Sequence, residues 1–456
     1  MTFLIFKIFL NLKNVKNKKA LLIFAPMKKQ LLTTVLANLL FLFPLFSQID
    51  SSSIFFKEGI REKRNILYRN LVQNTITKNL SLPLSFDTEQ NWIDAFWAIE
   101  LIRYQSPWIN TTINTALDSI DKRSPSFQRA LLELAFSNYP NQYIKQVSSL
   151  LNNCEDAKVF AMCVAYRMQN NLTPFPNNQL ENKMNQLIKN KKDEAIVQQL
   201  MYRIHPPSLV KNFPISDILD SEFLKNKTVL FSFQRKNRNY PGIALIRDSM
   251  GNFIKDENGS LFSVPQLGRS ISNLPGFLTN GNTPQGIFLM DGFSNSKNSF
   301  IGPTSNIQLS MPFETSIRHF FNDPTIIDAN WTEEWYKKLL TAKLINYLPL
   351  YESFYAGKAG RTEIIAHGTT IDPGYYVGEK YYPQTPTMGC LCTKEIWSDE
   401  DGKRLESDQQ KLVNALQLAG GAKGYCVVLE IDDAQKSISL DEILSLIQSS
   451  SAQKNK

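Results

Sequence analysis

The 456-residue chain is poor in groups that titrate near neutrality or grip a metal: it has three histidines and five cysteines. So few cysteines exclude a disulfide scaffold. Their odd number leaves at least one thiol unpaired if the chain is exported. Beyond residue 46 no apolar run reaches the roughly 18 residues needed to cross a bilayer. There is no Walker A sequence, no GxGxxG, no GxSxG and no HExxH. Nothing therefore suggests a nucleotide, an organic cofactor or a catalytic zinc, and no metal site is expected.

An excess of positive charge over the folded body is missing too. The formal net charge is +8, but seven lysines from Lys7 to Lys29 precede the first acid, Asp50. Without them the chain is nearly neutral, which argues against nucleic acid as a partner. What is present is apolar: 43% hydrophobic and 11% aromatic residues. That suits two or three packed domains and not a disordered chain.

The N-terminal lysines fit a targeting segment. Met27-Lys28-Lys29 is a basic start, Leu31 to Phe46 is largely apolar, and Ser47-Gln48 opens a polar stretch. This pattern predicts a secretory signal over 27–47, or an uncleaved anchor, and a protein of the periplasm or cell envelope. Residues 1–26 are expected to be an extension ahead of the true start at Met27, and 48–86 a linker.

From about Asp87 to His205 apolar residues recur at helical spacing, as in Trp92, Ala95, Phe96 and Ile99. Ser124-Pro125 is a helix start, with a capping serine and proline at the first helical position. The expected architecture is multidomain α+β. An α-helical, solenoid-like domain over 87–215 precedes a mainly β domain over 220–433 with helical insertions. A helix and tail close the chain over 434–456. The strand candidates are Thr228 to Phe233, Gly242 to Ile246, Asn306 to Met311, Glu363 to Ala366 and Tyr425 to Ile431. Thr332 to Tyr347 reads as a helical insertion and Gln409 to Leu418 as a helix.

Two residues stand out for chemistry. His367 ends an apolar strand and is followed by Gly368. Cys390 follows Gly389 in Thr387-Met388-Gly389-Cys390-Leu391-Cys392. A glycine before a nucleophile permits a tight turn that exposes the sulfur and aims backbone amides at one point. An imidazole beside it favours the attacking thiolate. His205 and His319 read as structural.

The pair His367-Gly368, followed by Thr387-Met388-Gly389-Cys390, resembles the signature of the YkuD-type L,D-transpeptidases. Upstream, Thr283-Pro284-Gln285-Gly286-Ile287-Phe288 is similar to a second segment of that family, in the expected order. The resemblance spans roughly 220–433 and excludes the helical region.

It implies a cysteine acyltransferase of cell-wall peptidoglycan. Cys390 would attack an L,D bond of a stem peptide, with His367 as base and the Gly368 carbonyl orienting the ring. Gly389 and Cys390 would supply oxyanion amides. Thr387, Met388, Tyr375, Tyr376 and Arg361 are candidate substrate contacts, with Arg361 or Lys394 as holder of a carboxylate. Envelope proteins are possible partners of the helical domain. Two positions depart from the family: Met388 replaces a histidine and Cys392 an arginine. A hydrolase on the same fold and an inactive wall-binding module are the alternatives. Tyrosines that merely pack the loop are the alternative to a tyrosine-lined groove.

Overall fold

A computed structural model describes residues 54–173, 180–206, 214–327, 329–369 and 371–454. The expected extension and targeting segment lie outside the described residues. Residues 54–456 form one compact unit of mixed helix and sheet.

The helices begin where the sequence supplies caps. They are α1 (Arg61–Asn70), α2 (Glu89–Ile102), α3 (Pro107–Asp118), α4 (Pro125–Asn138), α5 (Ile144–Asn153), α6 (Ala157–Gln169), α7 (Leu180–Leu187) and α8 (Lys191–Ile204). Ser106, Ser124 and Asp156 each accept a first-turn amide, at 3.2, 3.3 and 2.9 Å. Such a cap stabilises a helix by about 1 kcal/mol. Helix α2 packs on α4, and α6 packs on both α4 and α5.

The linker expected over 48–86 is not one where it is described. After α1 a π-helical segment, Leu71–Thr77, continues into Lys78–Leu80. Leu71, Ile76 and Leu80 are buried, and Arg64 lies between Asp372 and Asp399. The charged first turns hid this stripe from a reading based on composition.

Eight strands close into a barrel in the order β1-β10-β4-β5-β6-β7-β3-β2. They are β1 (Thr228–Gln234), β2 (Gly242–Arg247), β3 (Val264–Leu267), β4 (Gly286–Ser294), β5 (Asn306–Ser310), β6 (Ile365–Gly368), β7 (Leu391–Thr393) and β10 (Lys423–Glu430). Strands β8 (Glu395–Trp397) and β9 (Arg404–Ser407) form a separate hairpin. The pairs β1–β10 and β6–β7 are parallel. Side chains alternate between two buried layers because a strand's period is two.

Val229, Phe231, Phe233, Val427 and Leu429 face outward into a core shared with the helices. Leu230, Ala244, Phe288, Ile307, Ala366, Leu391 and Cys426 face inward. The helix α9 (Asp408–Leu418) closes the inner layer with Leu412 and Leu416. A core phenylalanine such as Phe231 typically contributes 3–5 kcal/mol against alanine. Because one core spans helices and barrel, the 87–215 and 220–433 segments are not separate compact units.

The helical insertion expected over 332–347 is much shorter. Only Glu333–Lys337 is helical there, capped by Thr332, and turns follow. A further short helix, Glu352–Lys358, was not foreseen.

Candidate active site

His367 lies on β6 and Cys390 immediately precedes β7. The register pairs Ala366 with Leu391 and His367 with Cys392. Ala366 and Leu391 point inward. Alternation therefore turns His367, Cys390 and Cys392 to the outer face. One more residue of the register sets Cys390 opposite Ile365, whose amide lies against the thiol. Cys390 and His367 are thus diagonal neighbours across adjacent parallel strands, with Cα atoms roughly 8 Å apart by strand geometry.

Backbone constraint shapes the Thr387–Cys390 turn. Gly389 has φ of +115°, in the region that favours glycine. A Cβ there would meet Arg361 Nη2 at 2.0 Å and the Gly281 carbonyl at 2.7 Å. Thr387 folds the turn with its own hydroxyl. Its Oγ1 accepts the Gly389 amide at 3.0 Å and donates to the Cys390 carbonyl at 2.9 Å. The Gly389 amide is therefore engaged inside the turn, and the expectation that it points at an oxyanion does not hold. The Cys390 amide is the remaining donor of the expected pair. Thr387 spends its hydroxyl on building the turn.

The imidazole is held by its neighbour. His367 Nδ1 lies 2.8 Å from the Gly368 carbonyl. A carbonyl only accepts, so Nδ1 carries the proton and Nε2 presents a lone pair. Burial lowers the His367 pKa below its ordinary value, with the Gly368 carbonyl opposing. The ring is therefore neutral at physiological pH and able to accept a proton. Burial pushes the Cys390 thiol up to about 11, while the Ile365 amide and the Arg361 charge pull it down. Thiol and imidazole are therefore both uncharged at physiological pH. Among the described hydrogen bonds none joins Sγ to the ring. The sulfur instead faces the Glu363 carbonyl at 3.8 Å.

Arg361 does not hold a free carboxylate. Its guanidinium is buried, and it donates to the carbonyls of Gly276, Asn282 (2.7 Å) and Gly281 (2.5 Å). Burial lowers its pKa to about 10. Enclosed by carbonyls and packed against Gly389, it is a clamp beneath the turn, and its charge pulls the Cys390 pKa down. Sequence cannot show such a clamp, because the three carbonyls are supplied by main chain.

The tyrosines divide. Tyr376 is buried and donates to the Leu101 carbonyl of α2 at 2.7 Å. Tyr375 stacks near Tyr68 and Tyr376, and its hydroxyl is buried without a partner. Both rings pack the 371–389 loop against the helices. Met388 is 44% exposed at the tip of the turn, the one candidate contact that faces solvent beside Cys390.

Cys392 packs with Leu267, Tyr376 and Tyr381, whereas Cys426 lies in the inner layer. The barrel wall therefore separates Cys426 from Cys392 and His367. All five cysteines are free. His319 pairs with Asp291 at 2.6 Å on the surface, away from the ladder.

Glu363 escaped the sequence reading. It has φ of +65°, uncommon outside glycine, and turns its carbonyl toward the sulfur. Strained backbone of this kind clusters at functional sites. Comparison with known proteins returned no matching family model, no matching curated protein and no matching solved structure.

Proposed function

We propose that the chain is a cysteine acyltransferase acting on peptidoglycan stem peptides, as its resemblance to L,D-transpeptidases implies. One observation supports it above the others. An imidazole with its tautomer fixed by the Gly368 carbonyl shares the outer face of the β6–β7 ladder with a thiol on a glycine turn. In this reading Sγ attacks the carbonyl carbon of an L,D peptide bond. His367 Nε2 takes the thiol proton and passes it to the leaving D-amino acid. The carbonyl electrons collect on oxygen near the Cys390 amide, then re-form the carbonyl of a thioester. An amine of a second stem attacks that thioester, and the thiol regains its proton. No cofactor enters. The helical, solenoid-like region binds envelope proteins in this reading, and the protein is exported.

One observation favours a second reading, a wall-binding module without turnover: Sγ faces the Glu363 carbonyl and not the imidazole. Digestion of purified muropeptides decides between outcomes. A crosslinked dimer supports the transferase, and a shortened monomer means water is the acceptor. Unchanged muropeptides with a chemically accessible Cys390 remove the catalytic reading.

A further inference from the structure

Arg269 follows the end of β3 by two residues, and alternation places it on the same side as Leu267. Leu267 packs outward with Tyr381 and Cys392. The Arg269 guanidinium lies on that side too, over the Tyr381 ring at 4.9 Å from its centre.

The main chain sets Arg269 against the Thr387–Cys390 turn. The β3–β7 register pairs Gln266 with Thr393 and Leu267 with Cys392. Beyond it the Arg269 carbonyl accepts the Thr387 amide at 3.2 Å, and the Thr387 carbonyl accepts from Ile271 at 2.7 Å. The turn therefore has β6, with His367, on one flank and the Arg269 segment on the other.

Two guanidinium nitrogens are fixed. Nε donates to Asn239 at 2.8 Å and Nη1 to the Ser270 carbonyl at 2.8 Å. With the Tyr381 ring against its face, the group is held in one orientation. Among the described residues Nη2 has no hydrogen-bond partner and the charge has no acid, although Arg269 is only partly exposed. The neighbouring cations are spent. Arg361 serves three carbonyls, Arg238 pairs with Glu430 at 3.0 Å and Lys394 with Glu406 at 2.5 Å. Glu379, the acid that acts on Tyr381, is taken by Arg103. Anchoring the loop uses Nε and Nη1 and leaves Nη2 and the charge over. A planar guanidinium so pre-oriented is suited to a carboxylate.

We infer that Arg269 sets donor specificity by binding the terminal carboxylate of the stem peptide that acylates Cys390, the task expected of Arg361 or Lys394. This rests on the proposed acyl transfer, and binding measured without turnover separates the two.

Titration calorimetry of the full chain carrying Cys390→Ala supplies that measurement. The probes are a disaccharide tetrapeptide and the same muropeptide amidated at its C-terminus. The free acid is expected to bind about 30-fold more tightly than the amide, the worth of a charge-assisted pair. Adding Arg269→Gln should bring the two affinities together by weakening the acid alone. Arg269→Lys keeps the charge without the fork and should retain a preference of about fivefold. Thermal melting checks that both variants are folded. If the glutamine variant is not, an undiminished preference in Arg269→Lys overturns the inference. Equal weakening of acid and amide in a folded Arg269→Gln chain also overturns it, because the side chain then only shapes the loop. So does the absence of saturable binding, or of an acid preference, before Arg269 is changed. An acid preference that depends on Arg269, in a protein whose wild type leaves muropeptides unchanged, keeps the carboxylate site and removes the transferase.

Discussion

The two faces of the β6–β7 ladder have opposite duties. Inward, Ala366 and Leu391 are sealed by α9, and Gln409 binds the Ala366 carbonyl at 3.0 Å, the Ser305 carbonyl at 3.0 Å and Thr393 at 2.8 Å. Outward, the same seven residues present His367 and Cys392, with Cys390 one step before. The inner face is satisfied at every polar atom named. The outer face holds a thiol and an imidazole not bonded to each other. A period of two therefore lets one pair of short strands present a sealed side and a side that carries a thiol and an imidazole. Substitutions should sort by parity: outer ones should strike turnover, inner ones stability.

The largest effect is expected on the outer face. His367→Ala should lower muropeptide turnover by about 10²–10⁴-fold, the range of a lost general base, with little change in melting temperature. An equal loss of stability and activity would break the comparison, because the ring would then be a core residue.

Gly389→Ala should cost about 3 kcal/mol of unfolding free energy in urea, from the positive φ and the clash with Arg361. On the inner face Gln409→Ala should cost about 2 kcal/mol by stranding two carbonyls, with turnover per folded molecule unchanged.

The pH profile sharpens the contrast. Burial lowers the His367 pKa, so the base form survives to below the ordinary imidazole value. Turnover should fall only as pH drops through that lowered value. Stability should also decline there, because the unfolded chain takes up a proton that the folded ring resists. The thiol, raised to about 11, should show an iodoacetamide rate still climbing above pH 9 in His367→Ala. A plateau near pH 7 in that variant would mean that another group activates the sulfur.

The smallest effect belongs to Tyr375→Phe. Removing a buried hydroxyl that has no partner should leave stability unchanged or raise it by about 0.5 kcal/mol. KM should not move; a rise in KM would return this ring to the substrate.

Much of this was legible in the chain itself. The β-type runs TVLFSF, GIALI and YCVVLEI marked β1, β2 and β10, and Ser124-Pro125 marked a helix start, where the serine side chain meets a first-turn amide. His367 and Cys390 drew notice by their glycine neighbours. What escaped depends on main-chain partners and long-range packing. Arg361 looked like a free cation because its three carbonyl acceptors have no sequence signature. Gly389 looked like a free donor because the Thr387 hydroxyl that captures its amide could equally have faced a ligand. The helix over 61–70 was hidden by its charge.

Reaction of the full chain with a carbapenem, read by intact mass, tests the thiol and imidazole as a working pair most directly. The wild type should gain the mass of one ring-opened carbapenem as a thioester. Cys390→Ser should gain none, and His367→Ala should acylate at least about a hundredfold more slowly. Labelling that persists in Cys390→Ser, or none in a wild type whose Cys390 iodoacetamide can reach, would contradict the assignment.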